Sequence, residues 1–214
     1  MRAFVLACAV LVFSFSVKGQ AAVSPDTAEP GSIEEIAKAT TEAQFLSPWV
    51  LYLPASAHVP SPRAFYGRIM GAPGELVDSG KAYAYCRALA AASPRVRVFT
   101  IGKSEEGRDI LLLAIADEKG IASLEQLKAA TASLADPRKV DAVGAEKLIA
   151  SSRYLNAALH SDETGSTESV LELAYRLAVS EQPMVRHIRE KLVVLINPIS
   201  NPDATSRWNG SIAT

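Results

Sequence analysis

A histidine and a glutamate with two residues between them form the most conspicuous chemical pattern of the chain, His160-Ser161-Asp162-Glu163. An imidazole nitrogen and a carboxylate oxygen are both donors that zinc accepts in proteins, at about 2.0–2.2 Å. The pattern follows an apolar run, and a helical pattern opens just after it. Residues at such a junction are supported by both elements and can point at one ion. We therefore predict that His160 and Glu163 are two ligands of a zinc ion.

The spacing of these two residues is a weak signal by itself, because motifs this short occur by chance. A histidine at the end of a strand is also more often an ordinary hydrogen-bonded residue than a metal ligand. The two other histidines, His58 and His187, lie in segments without a comparable motif. An accidental pattern in a plain secreted α/β protein therefore stays open until the surrounding elements are considered.

The apolar periodicity of the sequence predicts the elements that must position this pair. The predicted strands are 95–100, 109–116, 154–159 and 192–196. The predicted helices are 79–92, 123–134, 143–151, 166–179 and 183–190. A short turn joins the first two strands into an antiparallel hairpin, and a helix joins the last two in a parallel βαβ crossover. The predicted fold class is α/β, with a mixed parallel and antiparallel sheet flanked by helices, and His160 follows a strand end where such sheets form their sites.

The N-terminal residues have the pattern of a secretion signal. Arg2 precedes an apolar run over residues 3–17, which is shorter than the roughly 20 residues that cross a bilayer. Small residues favour cleavage after Ala21, so residues 1–21 are predicted to be a signal peptide and the protein to be secreted or periplasmic. A membrane anchor, or a lipid attached at Cys8, is the alternative. We expect no stable membrane insertion after cleavage.

Composition describes an ordinary globular protein, with 49% hydrophobic residues and a formal net charge of -1. Such a charge offers no electrostatic basis for binding nucleic acid. Prolines punctuate residues 22–60, which are predicted to be an N-terminal extension or linker, and residues 61–214 are predicted to form the domain. Cys86 falls on the apolar face of its helix and is predicted to be a buried, inert thiol.

Four segments of the chain, in order and at family-like spacing, resemble the zinc carboxypeptidases, which are the carboxypeptidase A-like metallopeptidases. The first is the hairpin turn that contains Glu106-Gly107-Arg108, and the second contains His160 and Glu163. The third is the helix over 172–178, and the fourth is Asn201-Pro202-Asp203 beyond the last strand. The resemblance covers residues 61–203, and four ordered segments are far more specific than any one of them.

The resemblance implies zinc-dependent hydrolysis of peptide or protein substrates, with Zn²⁺ held by His160 and Glu163. In the family, a second histidine, a general-base glutamate and a carboxylate-binding arginine come after the Asn-Pro-Asp turn. Nothing in the present sequence matches those three, since Arg207 does not fit the pattern, and Ala204 replaces the usual glycine. The catalytic residues are therefore unknown, and we expect the N-terminal part of a carboxypeptidase-like domain, incomplete at its C-terminus and inactive alone.

Two other functions stay open on the same scaffold. A catalytically inactive module could bind peptides or cell-wall fragments without any chemistry, which the unmatched third ligand and base favour if the chain is whole. An amidase, a deacylase or an endopeptidase of the same family would keep the zinc chemistry but would not need the arginine that anchors a C-terminal carboxylate.

The expected truncation predicts what the gene contains. We expect the DNA beyond the codon for Thr214 to encode, in some frame, a further histidine and a further glutamate in the family's motifs. Sequencing that DNA is the measurement. If no frame encodes them, the expectation of a lost second half is wrong.

Overall fold

The computed structural model describes residues 25–136, 138–148, 152–156, 159–160 and 162–212. Its strands are β1 (Val96–Lys103), β2 (Asp109–Ile115), β3 (Ser152–Asn156) and β4 (Val193–Asn197). Its α-helices are α1 (Ser32–Ala39), α2 (Pro62–Tyr66), α3 (Ser79–Ala92), α4 (Glu118–Ala122), α5 (Leu124–Leu134), α6 (Ala142–Leu148), α7 (Thr164–Val179), α8 (Pro183–Lys191) and α9 (Pro202–Ile212). The predicted α/β class is confirmed, and the predicted signal peptide lies outside the described residues.

The four strands form one sheet in the order β1-β2-β4-β3. β1 and β2 pair antiparallel across the turn at Gly107, whose φ of 81° suits glycine. β2 also pairs antiparallel with β4, whereas β3 runs parallel to β4 with Asn156 opposite Asn197. The carboxyl ends of β3 and β4 therefore meet at one edge of the sheet.

The main core lies between one face of this sheet and helices α3 and α7. The sheet contributes Leu111, Leu113 and Ile115, which are almost fully buried. Their partners on the helices are the equally buried side chains Tyr85, Leu89, Leu171 and Tyr175. Asp78 begins α3 by accepting a hydrogen bond from the Lys81 amide at 2.8 Å, as an N-cap residue does.

A smaller apolar cluster lies on the opposite face of the sheet. Ala114, Ala116 and Val193 from the sheet pack there against Ile121 of α4. Small residues on the strands let the short helix approach closely. Both faces of the central strands are therefore covered, which explains why β2 is apolar from Ile110 to Ile115.

Residues 26–63 pack against the C-terminal half of α7. Asp26 accepts hydrogen bonds from the Tyr52 hydroxyl at 2.9 Å, from the Ser180 hydroxyl at 2.7 Å and from the Glu181 amide at 2.6 Å. The Tyr175 hydroxyl donates to the carbonyl of Pro54 at 2.5 Å. A domain boundary at residue 60 stays a prediction, because these contacts describe packing and not independent folding.

A buried ion pair ties the N-terminal half of α7 to the loop before α3. Glu168, whose side chain is 6% exposed, accepts from Arg68 Nη2 at 2.6 Å and from the Gly71 amide at 2.5 Å. At the other end of α7, the buried Arg189 donates to the carbonyls of Leu177 and Ser180. A cation at the C-terminus of a helix is also favoured by the helix dipole.

The Glu168→Ala variant tests how much the ion pair contributes to stability. The substitution leaves the Arg68 guanidinium partly buried without its main partner, so we expect the free energy of unfolding to fall by about 3 kcal/mol. Urea denaturation at neutral pH measures the change. The matched control is Glu125→Ala, because that exposed carboxylate lies 4.0 Å from Lys128 and should change stability by less than about 0.5 kcal/mol. Equal effects of the two substitutions would contradict the assignment.

Candidate functional site

His160 and Glu163 lie in one tight turn immediately before α7. The Glu163 amide donates to the carbonyl of His160 at 3.1 Å, which closes a four-residue turn. The α-carbons at the ends of such a turn are within about 7 Å of one another. Both residues are exposed, and the Glu163 side chain makes no hydrogen bond that would cap the helix. The backbones of the two residues are therefore close together, and both side chains are open to solvent.

The first turns of α7 hold this segment against the end of β4. The hydroxyl of Thr167, a buried residue, donates to the carbonyl of Pro198 at 3.2 Å. Beside it, the buried Asn197 accepts from the Ile199 amide at 3.2 Å. The side chain of Asn197 thus orders the turn after β4. Thr167 bonds the same turn to α7, the helix that follows the candidate ligands. β3 ends at Asn156, and residues 157, 158 and 161 lie outside the described residues.

Asp203 joins two of the segments that suggested the family. It accepts from the Ser104 hydroxyl at 2.7 Å, from Arg108 Nη1 at 2.7 Å and from the Glu106 amide at 3.1 Å. Those three residues form the β1–β2 turn, whereas Asp203 lies in the first turn of α9. The Glu-Gly-Arg turn and the Asn-Pro-Asp segment are therefore complementary parts of one polar contact.

This contact also sets the acidity of Asp203. Burial opposes ionisation of the carboxyl, but the hydrogen bonds from Ser104, Arg108 and the Glu106 amide outweigh it, so that the pKa of Asp203 lies below its usual value. The side chain is therefore an anion at neutral pH. An anion in the first turn of a helix is also favoured by the helix dipole.

The Asn-Pro-Asp segment begins a helix, which the sequence interpretation missed. The side chain of Asn201 accepts from the Ala204 amide at 3.2 Å, and Pro202 follows at the first helical position. Asparagine before a helix and proline at its start are standard signals that could have identified α9. Ala204 lies inside α9, where the residue needs no positive φ. Arg207, one turn further on, pairs with Glu106 at 2.6 Å.

The donor set at the turn fits zinc in its chemistry but supplies only part of a site. Catalytic zinc takes three protein ligands, and the turn offers an imidazole and a carboxylate. Among the described residues, no three side chains of His, Cys, Asp or Glu lie close enough together to hold a metal. His58 and His187 are exposed elsewhere, the latter on α8. Among the described residues, the turn therefore offers two candidate donors and not a complete set of ligands.

Cys86 has no part in this site. The side chain is fully buried in the main core, and burial raises the pKa of the thiol to about 12. The prediction of a buried thiol is confirmed. A thiolate is the reactive form of cysteine, so Cys86 is inert in the folded protein.

The sequence profile of the zinc carboxypeptidases matches residues 82–207, which is more than half of the chain. The chain belongs to the zinc carboxypeptidase family. The resemblance drawn from the four segments is thereby confirmed, and the matched region contains the β1–β2 turn, both candidate ligands and the Asn-Pro-Asp segment. It also contains Asp203 and the three residues that donate to it.

Among solved structures, the chain is similar to the crystal structure of thrombin activatable fibrinolysis inhibitor. The two are 12% identical, with a TM-score of 0.47, over 82% of the present chain and 33% of that one. The chain thus spans about a third of the length of that protein. No curated protein matches the sequence significantly. The family assignment therefore rests on the sequence profile.

Membrane-spanning helices are not found among the residues described. None of the helices there is both long enough and apolar enough to cross a bilayer.

The Asp203→Asn variant tests the polar contact between α9 and the β1–β2 turn. Because the pKa of Asp203 is lowered in the folded protein, ionised Asp203 stabilises the fold above its usual pKa of about 4, and this stabilisation is lost as pH falls through the lowered pKa. We expect the variant to melt at a lower temperature than the parent at pH 7. Thermal unfolding followed by circular dichroism is the measurement.

The difference in melting temperature between the parent and Asp203→Asn should shrink as the pH falls from about 4 downward. Glu125→Gln is the control, since this exposed carboxylate makes only a distant pair and should not change the melting temperature. A difference that stays constant down to acid pH would show that charge on Asp203 is not what stabilises the contact.

Proposed function

We propose that the protein is a zinc-dependent peptidase of the metallocarboxypeptidase type, in which His160 and Glu163 are two of the zinc ligands. The observation that carries the proposal is the exposed turn, which presents both donors directly before α7 in a chain of the zinc carboxypeptidase family. A zinc ion held by His160 and Glu163 would supply Lewis-acid chemistry, which polarises a scissile carbonyl and makes water more acidic. The substrates would be peptides or proteins.

The residues around the turn would hold the ligands in place. The bond from Thr167 to Pro198 fixes the start of α7, which directly follows Glu163. The Asp203 contact fixes the β1–β2 turn relative to α9. Metal ligands act best when supporting residues restrict their orientation, so these contacts support a site at this edge.

The third zinc ligand, the general base and the anchor for a substrate carboxylate are proposed to lie beyond residue 214. On this proposal the chain of 214 residues does not hydrolyse peptides alone. Its N-terminal pattern supports export, so that the enzyme would act in the periplasm or outside the cell. Exopeptidase action, as opposed to amidase or endopeptidase action, is proposed from the family alone.

Zinc titration of the metal-free chain tests the ligand assignment. Four-ligand zinc sites provide about 10–16 kcal/mol, so two ligands should provide about half and give an affinity in the micromolar range or weaker. We expect His160→Ala to weaken this affinity at least tenfold, because an imidazole donor is lost. Isothermal titration calorimetry is the measurement.

His187→Ala is the matched control for the zinc titration. This histidine is also exposed, but it lies on α8 and should leave the affinity unchanged. Tight, stoichiometric zinc binding that survives His160→Ala would overturn the assignment.

A further inference from the structure

A groove with a volume of about 680 Å³ lies between α7, α8 and the N-terminal segment, which comprises residues 26–63. The two helices contribute the large apolar side chains Leu173 and Met184, which are 37% and 54% exposed. The N-terminal segment contributes Trp49, which is 51% exposed, and the exposed Val50. Apolar side chains of both parts are therefore left in water in this conformation, although their burial would be favourable.

Trp49 and Val50 belong to a loop, residues 41–51, that is hydrogen-bonded only to itself. Its backbone hydrogen bonds join residues three positions apart, as in the bond from the Val50 amide to the Ser47 carbonyl at 3.0 Å. The side chain of Gln44 also bonds within the loop, to Glu42 at 2.6 Å. Among the described residues, no hydrogen bond from this loop to a helix or to the sheet therefore has to break when the loop moves.

Fixed residues flank the tip of this loop on both sides. Leu46 is partly buried against the main core. Tyr52 is buried, and its hydroxyl donates to Asp26 at 2.9 Å. Residues 47–51 lie between these two points, and most of them are exposed. A short segment that is held at both ends can change position when a few terminal residues absorb the change in backbone angles.

The charged side chains that line the groove do not oppose its closure. Arg176 Nε donates to Glu172 at 2.9 Å, and Glu168 accepts from Arg68 Nη2 at 2.6 Å. Burying a charge is costly mainly when it has no partner. Because these carboxylates already have partners, covering the groove would bury no unpaired carboxylate.

We propose that residues 47–51 are a lid, which closes over the groove by laying Trp49 against Leu173 and Met184. The lid is open in this structure. The segment that covers the apolar side chains is then part of the chain itself, and any ligand of the groove has to displace Trp49. The inference goes beyond the proposed function and does not depend on it, since neither His160 nor Glu163 lines the groove.

Acrylamide quenching of Trp49 fluorescence in the full chain tests the proposal. Trp208→Phe leaves Trp49 as the only tryptophan. Loops move in nanoseconds to microseconds, so molecules with an open and a closed lid should be quenched as separate populations. We expect a Stern–Volmer plot that curves downward, because one fraction of Trp49 is accessible and the other is shielded. A linear plot, with all of Trp49 accessible, would overturn the proposal.

A charge placed on either side of the groove should open the lid. Met184→Glu on α8 and Val50→Glu in the lid, each in the Trp208→Phe chain, replace exposed side chains and leave the main core intact. Closure would bury the new carboxylate, so we expect the ratio of shielded to accessible Trp49 to fall about tenfold or more.

Two matched controls introduce the same charge outside the groove. Val143→Glu lies on α6, and Phe45→Glu lies in the same loop as the lid; both side chains are exposed, and neither lines the groove. We expect both variants to keep the shielded fraction of the Trp208→Phe chain. Shielding that persists in Met184→Glu and Val50→Glu, or that is lost equally in the two controls, would contradict the assignment of residues 47–51 as a lid.

Discussion

The burial of one face of α7 is the constraint on which the rest of the structure depends. Leu171, Ala174, Tyr175 and Ala178 are almost fully buried on that face. The sheet, α3 and α8 all pack against the same helix, and the N-terminal segment bonds to its tyrosine. Any movement of α7 would therefore open the main core, and so the helix has one position in which all of these surfaces are satisfied.

Because α7 is held in this way, the position of the turn that directly precedes it is also restricted. Glu163 directly precedes the first residue of α7, which the core holds in place. The exposed side chains of His160 and Glu163 do not contribute to the core. The opposite face of α7 stays partly exposed to solvent because the core buries only one side of the helix. One helix thus separates the buried part of the chain that holds the fold from the part that is exposed to solvent.

Local periodicity was enough to predict α3, α7 and the strands of the hairpin, because burial repeats at the spacing of the backbone. The turn of His160 and Glu163 was also predictable from its place between two periodic segments. The pairs of Glu168 with Arg68 and of Asp203 with Arg108 were not, since each joins residues about 100 positions apart in sequence. Nothing in a local pattern distinguishes a charge that will be buried in a pair from one that will be solvated. The start of α9 was different, because its capping signals were present and were interpreted as a turn.

The burial of Cys86 makes the thiol a reporter on the whole core. Cys86 is the only cysteine after residue 8, and it is packed among side chains that both α3 and α7 help to enclose. A reagent from solvent can reach its sulfur only when these helices separate. The rate at which this sulfur is alkylated therefore reports how often the molecule opens, and no residue has to be introduced for the purpose. The same burial keeps two folded molecules from being cross-linked through this residue in an oxidising compartment.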